Sequence, residues 1–173
     1  MIHTVHNFLE PDILAAILKK FEDAKGTASF EVNDMGRWGK GLESGSYAPV
    51  LILPLDEYKD YFIQKYKSVN PIFEPYNKLT CFMHVWPRGS QINFHHDQVN
   101  NGDRLSSTIY LNEQWNWNWG GLFLYDDAHL GQGWVFPHSN KMIWFVPPIY
   151  HATSMVSLLA EYPRLSIQLF FEK

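Results

Sequence analysis

From Leu79 to the C-terminal end the chain is a succession of short segments rich in β-branched and aromatic residues: LTCFMHVW, RLSSTIYL, GLFLY, KMIWFV, HATSMVSL and RLSIQLFF. They are parted by PRGS, NNGD, WGG, HSN and PP, combinations that favour turns. Runs this short and this punctuated form strands, not helices. Ahead of them, Ile13, Leu14, Ile17, Leu18 and Phe21 recur at spacings of three and four, with Pro11 near the start and Gly26 just past the end. That pattern predicts an amphipathic helix over 10–25. A second helix is expected over 55–68, with Tyr58, Phe62 and Tyr66 on one side. Six strands behind two helices predict a mainly β protein, a sandwich or jelly-roll barrel with the helices packed on one outer face.

Between the helices, residues 26–49 are rich in Gly and Ser and lack periodicity, which reads as a long loop with room for a hairpin inside it. Loops of this length in compact domains tend to act as lids or binding loops. Arg37 and Trp38 are its lid candidates, set against ordinary loop packing. With 173 residues the chain is expected to be one domain, in which 1–78 supply helical support and a flexible loop and 79–173 the β core.

Chemistry enters with NFHHDQVNNGDR, residues 93–104. In extended chain, residues two apart point the same way, so His95 and Asp97 reach one metal ion together and His96 points to the opposite side. A register slip would exchange His96 for His95, but would then leave Asp97 facing away. One His-x-Asp in a chain with eight histidines is weak by itself. Two later residues strengthen it. His151 opens a segment after Val146-Pro147-Pro148, where a ligand projects into a barrel mouth. Two histidines and one carboxylate form the ligand face typical of non-heme Fe(II), with three coordination positions left open. Arg164 then opens the otherwise apolar RLSIQLFF, and a buried arginine asks for an anionic partner.

This order of motifs resembles the iron(II) and 2-oxoglutarate dependent dioxygenases, in particular the prolyl 4-hydroxylase-like, stand-alone microbial and viral type. The resemblance covers roughly 79–171. It implies a double-stranded β-helix, with His95, Asp97 and His151 as iron ligands. It further implies that Arg164, with Ser166 beside it, pairs with the far carboxylate of 2-oxoglutarate, and that Tyr110, before Leu111-Asn112, adds its hydroxyl. Gly120-Gly121 fits as well. Trp86, in VWPRG, stands near where relatives carry a tyrosine before proline, so an indole N–H replaces that contact with the cosubstrate, or the contact is lost. Phe170 stands where some relatives carry a substrate-facing tryptophan. Fe(II), 2-oxoglutarate, O2 and a proline-containing peptide or protein are the implied cofactor and partners, with succinate and CO2 as co-products and ascorbate to restore oxidised iron.

Trp115, Trp117 and Trp119 alternate, so in extended chain they share a face and form a platform for a proline-rich peptide, or else they cap the barrel or pack a loop. Arg104 follows the Asn-Gly-Asp turn as a substrate-facing residue or a plain surface one. His84, His129 and His138 lack partners at ligand spacing and are read as structural or surface. Two other functions stay open: the same chemistry on a free amino acid or other small molecule, and a non-enzymic jelly-roll binding module. A formal charge of -4 without a Lys/Arg run argues against nucleic acid or an anionic membrane as partner. A lone Cys81, and an N-terminus without a secretory pattern, lead to the expectation of a cytoplasmic protein.

Overall fold

The C-terminal strand organises the molecule. In the computed structural model, which describes residues 1–32, 42, 45–97 and 104–173, this strand runs Arg164–Glu172 and lies at the centre of a seven-stranded antiparallel sheet. In chain order the strands are β1 (Ile2–Val5), β2 (Glu31–Val32), β3 (Leu51–Pro54), β4 (Lys78–Trp86), β5 (Ile92–His95), β6 (Arg104–Tyr110), β7 (Phe123–Asp127), β8 (Gly131–Val135), β9 (Met142–Phe145), β10 (Tyr150–Thr153) and β11 (Arg164–Glu172). The large sheet has the order β1-β9-β6-β11-β4-β3-β2, and a four-stranded sheet β5-β10-β7-β8 faces it. This is the mainly β, jelly-roll architecture expected from the strand pattern, in the double-stranded β-helix form that the resemblance implies.

Alternation along β11 sorts its side chains. Leu165, Ile167, Leu169 and Phe171 join Leu79, Cys81, Met83 and Val85 of β4 and Leu105 and Ile109 of β6 in the main core. Two helices cover that face: α1 (Pro11–Ala24) through Ile17 and Phe21, and α2 (Lys59–Val69) through Phe62 and Tyr66. Pro11 starts α1 where no N–H is needed. The Glu10 carboxylate accepts from Tyr61 and Lys65, which ties the head of α1 to α2. A buried relay fixes α2 to the sheet. The Ser107 hydroxyl donates to the Ile143 carbonyl at 2.6 Å, so at the 2.6 Å contact with Tyr66 it accepts the phenol proton.

The second helix is preceded by a single turn of 3-10 helix, Asp56–Tyr58, within the stretch expected to be α-helical. Three strands, β1 to β3, precede residue 79 and extend the large sheet, so the N-terminal part is more than helical support. Their brevity, and the Gly-rich sequence of β8, hide them from pattern reading. The segment HATSMVSL is a strand only as far as Thr153. Beyond it Val156 bridges Gly120 and exchanges backbone hydrogen bonds with Gly89 and Ser90, closing the end of the barrel.

Candidate active site

The even-numbered residues of β11 face the small sheet, and the site is built between them. His95 and His151 are direct cross-strand partners on β5 and β10, with ring centroids 4.3 Å apart. The Nδ1 of each lies against a backbone carbonyl two residues back, Asn93 at 2.8 Å and Ile149 at 2.9 Å. With Nδ1–H donating there, both Nε2 lone pairs are left facing inward, the tautomer a metal requires. Asp97 lies just past the end of β5, and its Oδ1 is 3.8 Å from His95 Nε2 and 3.7 Å from His151 Nε2. The ligand atoms of the three residues all fall within 4.8 Å of one another. His151 packs between Phe123 and Phe145, and burial there leads in pulling its pKa down, which keeps the imidazole neutral. Two imidazoles and one carboxylate on a half-dry face match the donor preference of Fe(II). His96 points outward and rests on Tyr150.

A second cluster lies deeper on the same face. Arg164 is 1% exposed, and no carboxylate pairs with it among the described residues. Its guanidinium is held between the rings of Trp86 and Tyr110, at 5.0 and 5.1 Å. Ser166 Oγ accepts from Arg164 Nη1 at 3.2 Å and from Trp86 Nε1 at 3.0 Å, which leaves its own proton to donate. Arg164 Nε and the Tyr110 hydroxyl are buried without a hydrogen bond of ordinary geometry. Burial pushes the Tyr110 phenol up to about 12 against the pull of Arg164, and lowers the guanidinium to about 10, so both groups keep their protons at neutral pH. The pocket gathers a buried guanidinium and two hydroxyls able to donate, with no carboxylate paired to the cation among the described residues, a lining that suits a carboxylate ligand. Gly121 permits it, since a Cβ there would meet Arg164 Cδ at 2.7 Å, on a backbone with φ +65°.

The other residues singled out in the sequence fall as follows. Phe170 is the register partner of Ser106 on β6, whose hydroxyl bonds Asp97. It therefore lies one strand from the His-Asp-His cluster, with Phe82 alongside at 6.2 Å. Arg104 forms an ion pair with Glu172 and caps the Phe170 ring at 5.1 Å, so it braces the rim. Trp86 spends its indole N–H on Ser166 and has none to offer a cosubstrate. The three tryptophans do not share a face, because Trp117–Trp119 form a turn of 3-10 helix. Trp115 bonds the Gly120 carbonyl and packs with Trp119 and Tyr162, whereas Trp117 lies against Phe136. His84 is buried between Phe82 and Trp86, and His129 and His138 lie at the surface. Arg37, Trp38 and the Asn-Gly-Asp turn lie outside the described residues.

Sequence reasoning missed two polar positions. Ser106 and Thr108 precede Tyr110 at intervals of two on β6, and the Thr108 hydroxyl donates to Gln168 Oε1 at 2.8 Å. Their signal was present, since every second residue of a buried strand was polar, but the adjacent Ser107 masked the alternation.

No curated protein matches the chain at the level of sequence. Among solved structures it is similar to a prolyl-4-hydroxylase from Pseudomonas putida, with TM-score 0.81 and 18% identity over 99% of this chain and 92% of that one. It is also similar to a prolyl hydroxylase from Trichoplax adhaerens in complex with a peptide fragment of hypoxia inducible factor, with TM-score 0.78 and 17% identity over 99% and 83%. A third, the non-heme alpha ketoglutarate dependent epimerase SnoN from nogalamycin biosynthesis, gives TM-score 0.72 and 11% identity over 99% and 77%. Identities this low show a shared fold, and that fold carries two prolyl hydroxylases and an epimerase. Residues 80–172, the stretch from β4 to β11 that carries both the triad and the arginine pocket, match the model of the 2OG-Fe(II) oxygenase superfamily, and with more than half its length in that match the chain belongs to this superfamily.

Proposed function

We propose that the protein hydroxylates proline in a peptide or protein, with His95, Asp97 and His151 holding Fe(II). Fe(II) in such a site couples the oxidative decarboxylation of 2-oxoglutarate by O2, to succinate and CO2, with insertion of one oxygen atom into a substrate C–H bond. The chain's own residues orient and shield. Arg164 takes the far carboxylate of 2-oxoglutarate, and the Tyr110 and Ser166 hydroxyls donate to it. Backbone carbonyls of Asn93 and Ile149 hold the two imidazoles in the ligating tautomer. Phe123 and Phe145 pack around His151 and keep water from the inner side of the site.

The observation that carries the substrate half is the aromatic wall of Phe82 and Phe170 next to Ser106 and Asp97. A ring without charge or hydrogen-bond donors packs on such a wall, whereas the head group of a charged free amino acid would meet phenyl rings and an Arg104 already paired with Glu172. The two solved structures with the higher TM-scores, both prolyl hydroxylases, support the same choice. Ascorbate is proposed to sustain turnover. A second reading, the same chemistry on a free amino acid or other small molecule, draws on the likeness to the epimerase.

The test offers proline-rich peptides and free amino acids side by side to protein supplied with Fe(II), 2-oxoglutarate, ascorbate and O2, reading succinate and product mass. Peptide-stimulated succinate with one added oxygen on a prolyl residue is expected. Stimulation by a free amino acid and by no peptide selects the second reading.

A further inference from the structure

Ser106 is fully buried on β6, and its hydroxyl donates to Asp97 Oδ2. The two oxygens of that carboxylate thus have different company. Oδ1 faces both imidazoles, at 3.8 and 3.7 Å, while Oδ2 is capped by the serine. Asp97 also lies beyond the last ladder residue of β5, so the sheet does not fix its backbone, and a hydroxyl from the opposite sheet anchors its side chain.

We infer that Ser106 is a positioning residue that restricts Asp97 to a one-oxygen ligand and so keeps a coordination position open for a chelating 2-oxo acid. The inference rests on the metal-site reading above. A carboxylate with both oxygens free can close on a divalent cation through both of them and so occupy two positions. A hydroxyl donating to one oxygen uses its lone pair and lowers its share of the negative charge, which favours the other as the single ligand. Outer partners of this kind commonly change metal affinity by about 10- to 100-fold when removed.

The experiment uses the whole protein and Co(II), whose d–d absorption reports coordination number, titrated under argon and then with 2-oxoglutarate. In Ser106→Ala the Co(II) affinity is expected to fall by about 10- to 100-fold. The change in the Co(II) spectrum on adding 2-oxoglutarate should need at least several-fold more oxo acid, while the melting temperature of the metal-free protein stays near that of the parent. Ser106→Thr, which keeps the hydroxyl, should restore both affinities. Ser106→Cys fills the volume with a poor donor and should behave as Ser106→Ala, a control that stands even if the alanine variant misfolds. A folded alanine or cysteine variant that binds Co(II) and 2-oxoglutarate within twofold of the parent overturns the role of Ser106. Parent protein that fails to bind Co(II) overturns the metal-site reading instead, so the two failures are told apart.

Discussion

The two faces of β11 have divided the work of the protein between them. On one face Leu165, Ile167, Leu169 and Phe171 lie under the helices in the main core. One residue away at each step, Arg164, Ser166, Gln168 and Phe170 line the inner side, where a cation has no counter-charge among the described residues and two polar atoms have no partner. The helix face is satisfied as it stands; even its buried phenol, Tyr66, finds an acceptor in Ser107. The inner face is left incomplete by the protein alone. Stability comes mainly from the first, and the second stores unsatisfied groups for ligands to complete.

The sharpest way to break this division is to remove the metal. A chelator should abolish succinate formation altogether and leave the far-UV circular dichroism unchanged; unfolding on chelation would show that the inner face also carries the fold. Next, Arg164→Met keeps volume and deletes the charge. It should cost the enzyme roughly 2–5 kcal/mol of interaction with 2-oxoglutarate, a loss of at least about thirtyfold in turnover at limiting cosubstrate. Its melting temperature in the absence of ligand should hold or rise, since an unpaired buried cation is relieved. Ile167→Ala, on the other face, should do the reverse, losing about 2–5 kcal/mol in denaturant unfolding with turnover per folded molecule nearly intact. The smallest effects come from a matched pair. Tyr66→Phe should lower stability by about 1 kcal/mol without altering 2-oxoglutarate binding. Tyr110→Phe should leave stability nearly unchanged and weaken 2-oxoglutarate a few-fold in calorimetric titration, because its hydroxyl has no hydrogen bond of ordinary geometry until the ligand arrives. Equal behaviour of the two phenylalanine variants would erase the distinction between the faces.

How far this was legible beforehand depends on the reach of each signal. The period of two in RLSIQLFF and the isolated arginine at its start are local, and they placed both the strand and its odd charge. His95 and Asp97 were separable from His96 by the same alternation. The tryptophan alternation in WNWNW left a shared platform and loop packing both open, because the same spacing carries no directional meaning once Asn116 caps a turn of 3-10 helix by accepting from the Asn118 N–H. Arg104 and Trp86 could not be assigned from their neighbours in sequence. Their partners, Glu172 and Ser166, lie 68 and 80 residues away.

The sequence by itself determined the strand-rich class, the helical cover and the residue types able to bind a metal ion and a carboxylate, because those follow from side-chain chemistry and short-range periodicity. Tertiary structure alone decided which groups were spent and which were left open. Pairing His151 with His95, capping one oxygen of Asp97 with Ser106 and holding Arg164 between two rings all depend on strand registers that join distant segments. Register is settled by the packing of the whole barrel, and so no local stretch of the chain contains it.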